Sequence, residues 1–151
     1  MFRLAVFLTL VMTIGCSKPV EFQRGEVGGT VTLDGQPLEE GTISMFPDVK
    51  VKGTRVQAKI VAGKFSFSKN DGPAAGANRV SISAVKKTGK KISVEGVETE
   101  ESVESIPWQY NEVTMLTADV KVGPAKNDFK FELKSQSLPR DINGGSSSGV
   151  P

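Results

Sequence analysis

From Glu21 onward the apolar residues of this chain return at every second position, not every third or fourth, which is the period of a strand with one buried face. Val27, Gly29, Val31 and Leu33 share one parity, and Asp34-Gly35 followed by Gln36-Pro37-Leu38 makes a tight reversal. Ile43 and Met45 define a second strand with Phe46 on its other face, ended by Pro47-Asp48 because proline has no donor for the ladder. Val56, Ala58 and Ile60 alternate with Arg55, Gln57 and Lys59, and Ala62-Gly63 turns the chain into Lys64-Phe65-Ser66-Phe67-Ser68. Past the break at Asn70-Asp71-Gly72-Pro73, the pattern resumes at Val80, Ile82 and Ala84. It resumes again at Leu116, Ala118, Val120 and Val122 and, after a turn around Ala125-Lys126-Asn127, at Phe129, Phe131 and Leu133. Seven short strands punctuated by turn residues, with almost no helical period, predict an all-β chain folded as a seven-stranded β-sandwich over residues 26–135.

Three segments fall outside that pattern. Between Lys86 and Ser105 the alternation fades into a basic knot (Lys86, Lys87, Lys90, Lys91) and then an acidic run (Glu95, Glu98, Glu100, Glu101, Glu104), so residues 86–111 are expected to form a long, mobile loop insertion. Residues 136–151 turn to Ser, Gly, Asn and Pro, a composition too poor in apolar surface to order itself, and are expected to be a disordered tail. At the other end, Met1-Phe2-Arg3 precedes an apolar stretch from Leu4 to Ile14 and then Gly15. These are the n-region, h-region and small-residue boundary of a secretory signal, shorter than the roughly 20 apolar residues a membrane-spanning helix requires.

Cys16, the single cysteine, stands directly after that boundary. Gly15-Cys16, the length of the apolar segment and Ser17-Lys18-Pro19 resemble the lipobox of bacterial lipoproteins, although Thr13 departs from the leucine usual three residues before the cysteine. The resemblance implies cleavage after residue 15, palmitate-type acylation of Cys16, a tether over 16–25 and a membrane-anchored address in the cell envelope, facing the periplasm or the exterior. An exported protein gains from acylation here, because a lone thiol in an oxidising compartment invites intermolecular pairing.

Composition narrows the chemistry. With one cysteine no intrachain disulfide forms, so the domain must be held by packing. The chain has no histidine, the commonest general base and metal ligand, which leaves carboxylates, lysines, hydroxyls and one tyrosine. No Gly-x-Ser-x-Gly elbow or Ser-x-x-Lys pair sits in the strand-turn-helix or paired context its chemistry needs, a serine triad lacks its histidine, and five glutamates without an Asp-x-Asp-x-Asp-Gly loop match no cation-binding pattern. A formal net charge of +2 that drops further when Arg3 leaves with the signal is no footprint for nucleic acid. The expectation is a non-enzyme with no cofactor, no metal and no nucleic-acid partner.

Several short motifs, taken in order, carry a family resemblance. Gly28-Gly29-Thr30-Val31-Thr32-Leu33-Asp34-Gly35-Gln36-Pro37-Leu38 with Gly41-Thr42-Ile43-Ser44-Met45-Phe46-Pro47 resembles the opening of carboxypeptidase regulatory-like, transthyretin-like domains. Gly63-Lys64-Phe65-Ser66-Phe67 matches their "G.F.F" hairpin, and Gly76 to Ile82 their "G.Y.V.I" strand, with Asn78 where an aromatic is usual. Ile106-Pro107-Trp108-Gln109-Tyr110-Asn111 followed by Leu116-Thr117-Ala118-Asp119-Val120 is similar to the ending of small exported lipoproteins of planctomycete-type bacteria. The resemblance covers about Glu26 to Leu133 and implies a prealbumin-like sandwich acting as an accessory or interaction module.

Two groups stand out as candidate contact surfaces. Trp108 and Tyr110, the only tryptophan and tyrosine, flank Gln109 just after Pro107, and rigid aromatics with a polar handle suit recognition. The competing reading has Pro107 fixing the approach to the next strand while Ile106 and Tyr110 plug the open end of the sandwich. The lysine cluster either attracts an anionic cell-wall polymer or lipid headgroup, or neutralises the acidic run across a long hairpin. The function expected is therefore a lipid-anchored structural or interaction module touching an envelope protein or glycan, with a carbohydrate or cell-wall binding module as the alternative and a carboxylate-based enzyme as a remote third.

Overall fold

The computed structural model describes residues 22–123 and 127–139. The signal segment, Cys16 and residues 140–151 of the expected tail lie outside them. Among the described residues the strands are β1 (Val27–Leu33), β2 (Gln36–Pro37), β3 (Glu40–Pro47), β4 (Val56–Val61), β5 (Lys64–Phe67), β6 (Gly76–Ser83), β7 (Val85–Val94), β8 (Val97–Glu104), β9 (Thr117–Val120) and β10 (Asn127–Leu133), with a 3-10 turn at Trp108–Tyr110. The chain is all-β, as the two-residue period required.

One sheet runs in the order β10-β1-β5-β4-β3-β6-β9, with the short β2 beside β5 on the same edge of β1. Its pairings are antiparallel except for β1 with β10, which run parallel from Val27 opposite Asn127 to Leu33 opposite Leu133. β4 and β5 meet only at Val61 and Lys64, around the Ala62-Gly63 turn. The sheet curls there, so that β10, β1 and β5 enclose one core with β4, β3, β6 and β9. Val27 and Val31, Ile43 and Met45, Ile60, Phe65 and Phe67, Val80 and Ile82, Ala118 and Val120, and Phe131 and Leu133 all point into it. Each pair obeys the parity read from the sequence. Phe65 meets Phe67 edge-on at 6.2 Å between ring centres, an arrangement favoured by the ring quadrupole, and lies tilted by 30° against Phe131 at 6.0 Å.

Three reversals share one geometry. Asp34-Gly35, Ala62-Gly63 and Glu95-Gly96 have φ of 51° and 82°, 49° and 73°, and 51° and 83°. Two successive positive φ values are the mark of the primed hairpin turn whose twist matches that of its strands, and glycine at the second position removes half the steric cost.

The connection from β9 to β10 is a corner and not a hairpin, since these two strands form opposite edges of the curled sheet. The Asn127 side chain closes that corner, accepting from the Lys121 N–H at 2.8 Å and donating to the Lys121 and Glu26 carbonyls at 3.0 and 2.9 Å. The same pole receives the chain from its N-terminal side: Arg24 pairs with Ala74, the Gly25 N–H donates to the Pro73 carbonyl at 3.0 Å, and the Arg24 guanidinium donates to the Gly72 carbonyl at 2.7 Å. Leu33, Ser83 and Leu133 end their strands at the opposite pole.

From that far pole β7 and β8 project as a two-stranded sheet of their own. The long loop insertion expected between residues 86 and 111 is thus corrected: most of it is a regular hairpin of ten- and eight-residue strands, from Val85 opposite Glu104 to Val94 opposite Val97. Apolar alternation faded because both faces meet water, so no core imposed a parity. Charge pairs take its place, with Lys87 3.3 Å from Glu100, Lys90 3.5 Å from Glu101 and Lys91 3.9 Å from Glu98. Exposed pairs of this kind contribute little, and a two-stranded hairpin is marginal alone. The base of the arm is fastened more firmly, because the Glu104 carboxylate accepts from both the Ala84 and Ile106 N–H groups at 2.8 and 3.0 Å.

Candidate functional site

The connection after β8 builds the most elaborate polar arrangement at the far pole. Ile106 is 2% exposed and sits in the core, which fixes the depth of the segment. Pro107, at φ −55° and ψ 143°, then starts the 3-10 turn, and the Trp108 carbonyl accepts from the Glu112 N–H at 2.9 Å. Asn111 braces the turn by donating to the Ile106 carbonyl at 3.1 Å.

The side chains on this turn reach across to the segment that follows β10. Tyr110 packs against the core, and its hydroxyl accepts from the Lys134 N–H at 3.2 Å. Gln109 is 7% exposed. Its amide donates to the Gln136 carbonyl at 2.8 Å and accepts from the Leu138 N–H at 3.3 Å, so it pairs backbone groups of an irregular segment that has no neighbouring strand. The Trp108 indole donates to the Leu138 carbonyl at 3.2 Å. From the β1–β2 turn, Asp34 accepts from the Ser135 N–H at 3.2 Å. The Ser135 side chain, then its N–H, and then the charge of Lys134 hold the Asp34 carboxyl below its ordinary value.

Trp108 and Tyr110, the two aromatics expected as a contact surface, thus share one turn, but both polar handles are engaged with the backbone of residues 134–138. This corrects the expected disorder for 136–138, which lie docked. The physical reason is Gln109, whose buried amide supplies the hydrogen bonds that Ser- and Pro-rich sequence cannot make for itself. Gln109 carried no signal of its own in the sequence. Its flanking aromatics did.

What faces solvent beside this clasp is a shallow concavity of about 400 Å³ lined by Tyr110, Met115, Leu116, Lys134, Leu138 and Pro139. Met115 and Leu138, at 82% and 54% exposed, form its apolar rim. The Gln109 amide and the Tyr110 hydroxyl are engaged with backbone groups of the docked segment, so the surface is equipped for contact by shape and apolar area. No cluster of three or more Cys, Asp or Glu side chains is placed to hold a metal among the described residues. Comparison with protein-family models, with curated proteins and with solved structures found no match. Of the lysine cluster, Lys87, Lys90 and Lys91 face glutamates within the arm, while Lys86 lies opposite Val103. The structure thus brings Lys87, Lys90 and Lys91 into the neutralising hairpin arrangement.

Proposed function

We propose that this protein is an exported, lipid-anchored, non-catalytic module of prealbumin-like sandwich type, tethered to the envelope membrane through Cys16 and presenting its far pole to an envelope protein or glycan. The observation that carries this reading is the opposition of the two poles. The chain arrives beside Pro73, Ala74 and Asn127, while the β7–β8 arm, the Trp108–Tyr110 turn and the docked 134–138 segment lie at the other end of every long strand. A tether at the first pole carries the second away from the membrane. The curled sheet of β10-β1-β5 against β4-β3-β6-β9 supports the sandwich reading.

An acyl chain adds about 0.8 kcal/mol of membrane affinity per buried methylene, so two or more chains hold the protein at the bilayer. Metabolic labelling with an alkyne palmitate is expected to tag the wild type and to spare Cys16→Ser, which should leave the membrane pellet for the soluble fraction. Equal labelling and equal pelleting of the two proteins would remove the anchor and, with it, the polar orientation.

A further inference from the structure

The outward faces of β4, β3 and β6 carry a second feature. Register aligns their outward residues in rows across three strands: Lys59, Thr42 and Ser83; then Gln57, Ser44 and Ser81; then Arg55, Phe46 and Arg79. Arg55 stands one residue before β4, opposite Phe46, and its guanidinium lies 5.0 Å from the Phe46 ring centre. It also donates to the Ser44 hydroxyl at 3.2 Å, and Gln57 donates to the same oxygen at 3.0 Å. Ser44 is 5% exposed beneath them. A surface arginine is normally mobile or paired with a carboxylate. This one is held in place by neutral groups, and among the described residues neither Arg55 nor Arg79 has a carboxylate at ion-pair distance.

We propose that this face binds an acidic polysaccharide, with Arg55 and Arg79 receiving carboxylate groups of the polymer and Gln57 and Thr42 receiving its hydroxyls, while the Ser81 hydroxyl is held by the Asn111 carbonyl at 3.2 Å. Adjacent strands lie about 4.8 Å apart, so the two guanidinium-bearing positions are separated by roughly 10 Å on either side of Phe46. Their planar forks suit two-point contact with carboxylate, and stacking on Phe46 removes much of the side-chain entropy that Arg55 would otherwise lose on binding. β3 has neighbours on both edges, so a peptide cannot add here as another strand, which leaves recognition to side chains. The rows that continue from the arginines offer the Gln57 amide and the Thr42 and Ser83 hydroxyls beside one ammonium, Lys59, a complement to the hydroxyls and carboxylates of an acidic sugar polymer. This site goes beyond the display role and does not depend on the tether.

The test uses the full-length protein in neutral detergent, with polygalacturonate as probe and dextran and poly-L-glutamate as comparators at matched charge and mass. Binding to polygalacturonate is expected at low salt and to weaken as salt rises. Arg55→Gln and Arg79→Gln should each raise the half-saturating concentration roughly tenfold, Arg55→Lys should fall between, and Lys130→Gln on the opposite half of the sheet should change nothing. Thermal unfolding of each variant checks that it is folded. No binding to polygalacturonate, equal binding of poly-L-glutamate, or an unaltered Arg55→Gln/Arg79→Gln double variant would each overturn the proposal.

Discussion

Gly28 and Gly29 are neighbours on β1, and replacing each by alanine should have opposite consequences. A Cβ on Gly29 points into the core, 1.9 Å from the Phe129 carbonyl oxygen and 2.9 Å from the tip of the Phe65 ring. A Cβ on Gly28 points outward, and the nearest atom is the Phe65 carbonyl oxygen at 3.7 Å, an ordinary contact. Since Gly29 faces Phe129 in the parallel ladder, relief of the clash requires β10 to move away from β1 by more than an ångström. Overpacking of this kind costs about 1–3 kcal/mol, and each ladder hydrogen bond lost with it adds about 1 kcal/mol. Gly29→Ala is therefore expected to destabilise by about 3 kcal/mol, which for a domain of this size lowers Tm by roughly 10 °C. Gly28→Ala instead restricts the unfolded chain without strain and should be neutral or stabilising by up to about 1 kcal/mol. Thermal and urea unfolding followed by circular dichroism measure both. A Gly29→Ala protein within 0.5 kcal/mol of wild type, or two equally destabilised variants, would refute the close approach of β1 and β10 at this point, where about 0.5 kcal/mol is the scatter of neutral surface changes.

Gln109→Ala removes two hydrogen bonds to a segment with exposed backbone, so the loss should be local: hydrogen exchange of the Leu138 amide is expected to accelerate about tenfold or more while Tm changes by only a few degrees, and unchanged exchange would argue against the clasp. The Asp34 contact to Ser135 has a pH signature. Because the folded carboxyl titrates below its ordinary value, its contribution is complete above about pH 4 and is lost as pH falls through the lowered value, so the Ser135 amide resonance should shift only in strong acid and should stop titrating in Asp34→Asn.

The strands of the curled sheet were legible because each has one buried face, and burial enforces parity residue by residue: Ile43 and Met45 inward, Phe46 outward, Val80 and Ile82 inward, Arg79 and Ser81 outward. The arm was not legible by that rule, because water covers both of its faces and Lys91, Glu98 and Glu100 satisfy it as well as valine does. A different signal lay in the chain. Glu95-Gly96 between Ile92-Ser93-Val94 and Val97-Glu98-Thr99 has the form of a two-residue hairpin turn with strands on either side. The docked segment fails to show for another reason. Nothing in Gln136-Ser137-Leu138 favours order, and its hydrogen bonds come from Gln109 on a remote turn, an amide whose burial is decided by the seating of Ile106 in the core.

The Arg55, Phe46 and Arg79 row marks the point where parity stops being enough. Alternation alone assigns all three to outward faces, since Val56, Met45 and Val80 beside them point inward. It does not say that β3 lies between the strands that carry the two arginines. That depends on the sheet order, which the chain reaches by turning back at Ala62-Gly63 and returning through β5 before β6 is laid along the other edge of β3. Two cations from separate strands are thereby set on either side of one aromatic, with no acidic residue in the three rows that contain them. Mutual repulsion of the arginines opposes that arrangement, and the contacts that Arg55 makes to Phe46 and Ser44 leave its charge unneutralised. A bound anion removes the repulsion. The same stacking that costs the free protein a rigid, unpaired guanidinium then works in favour of the complex.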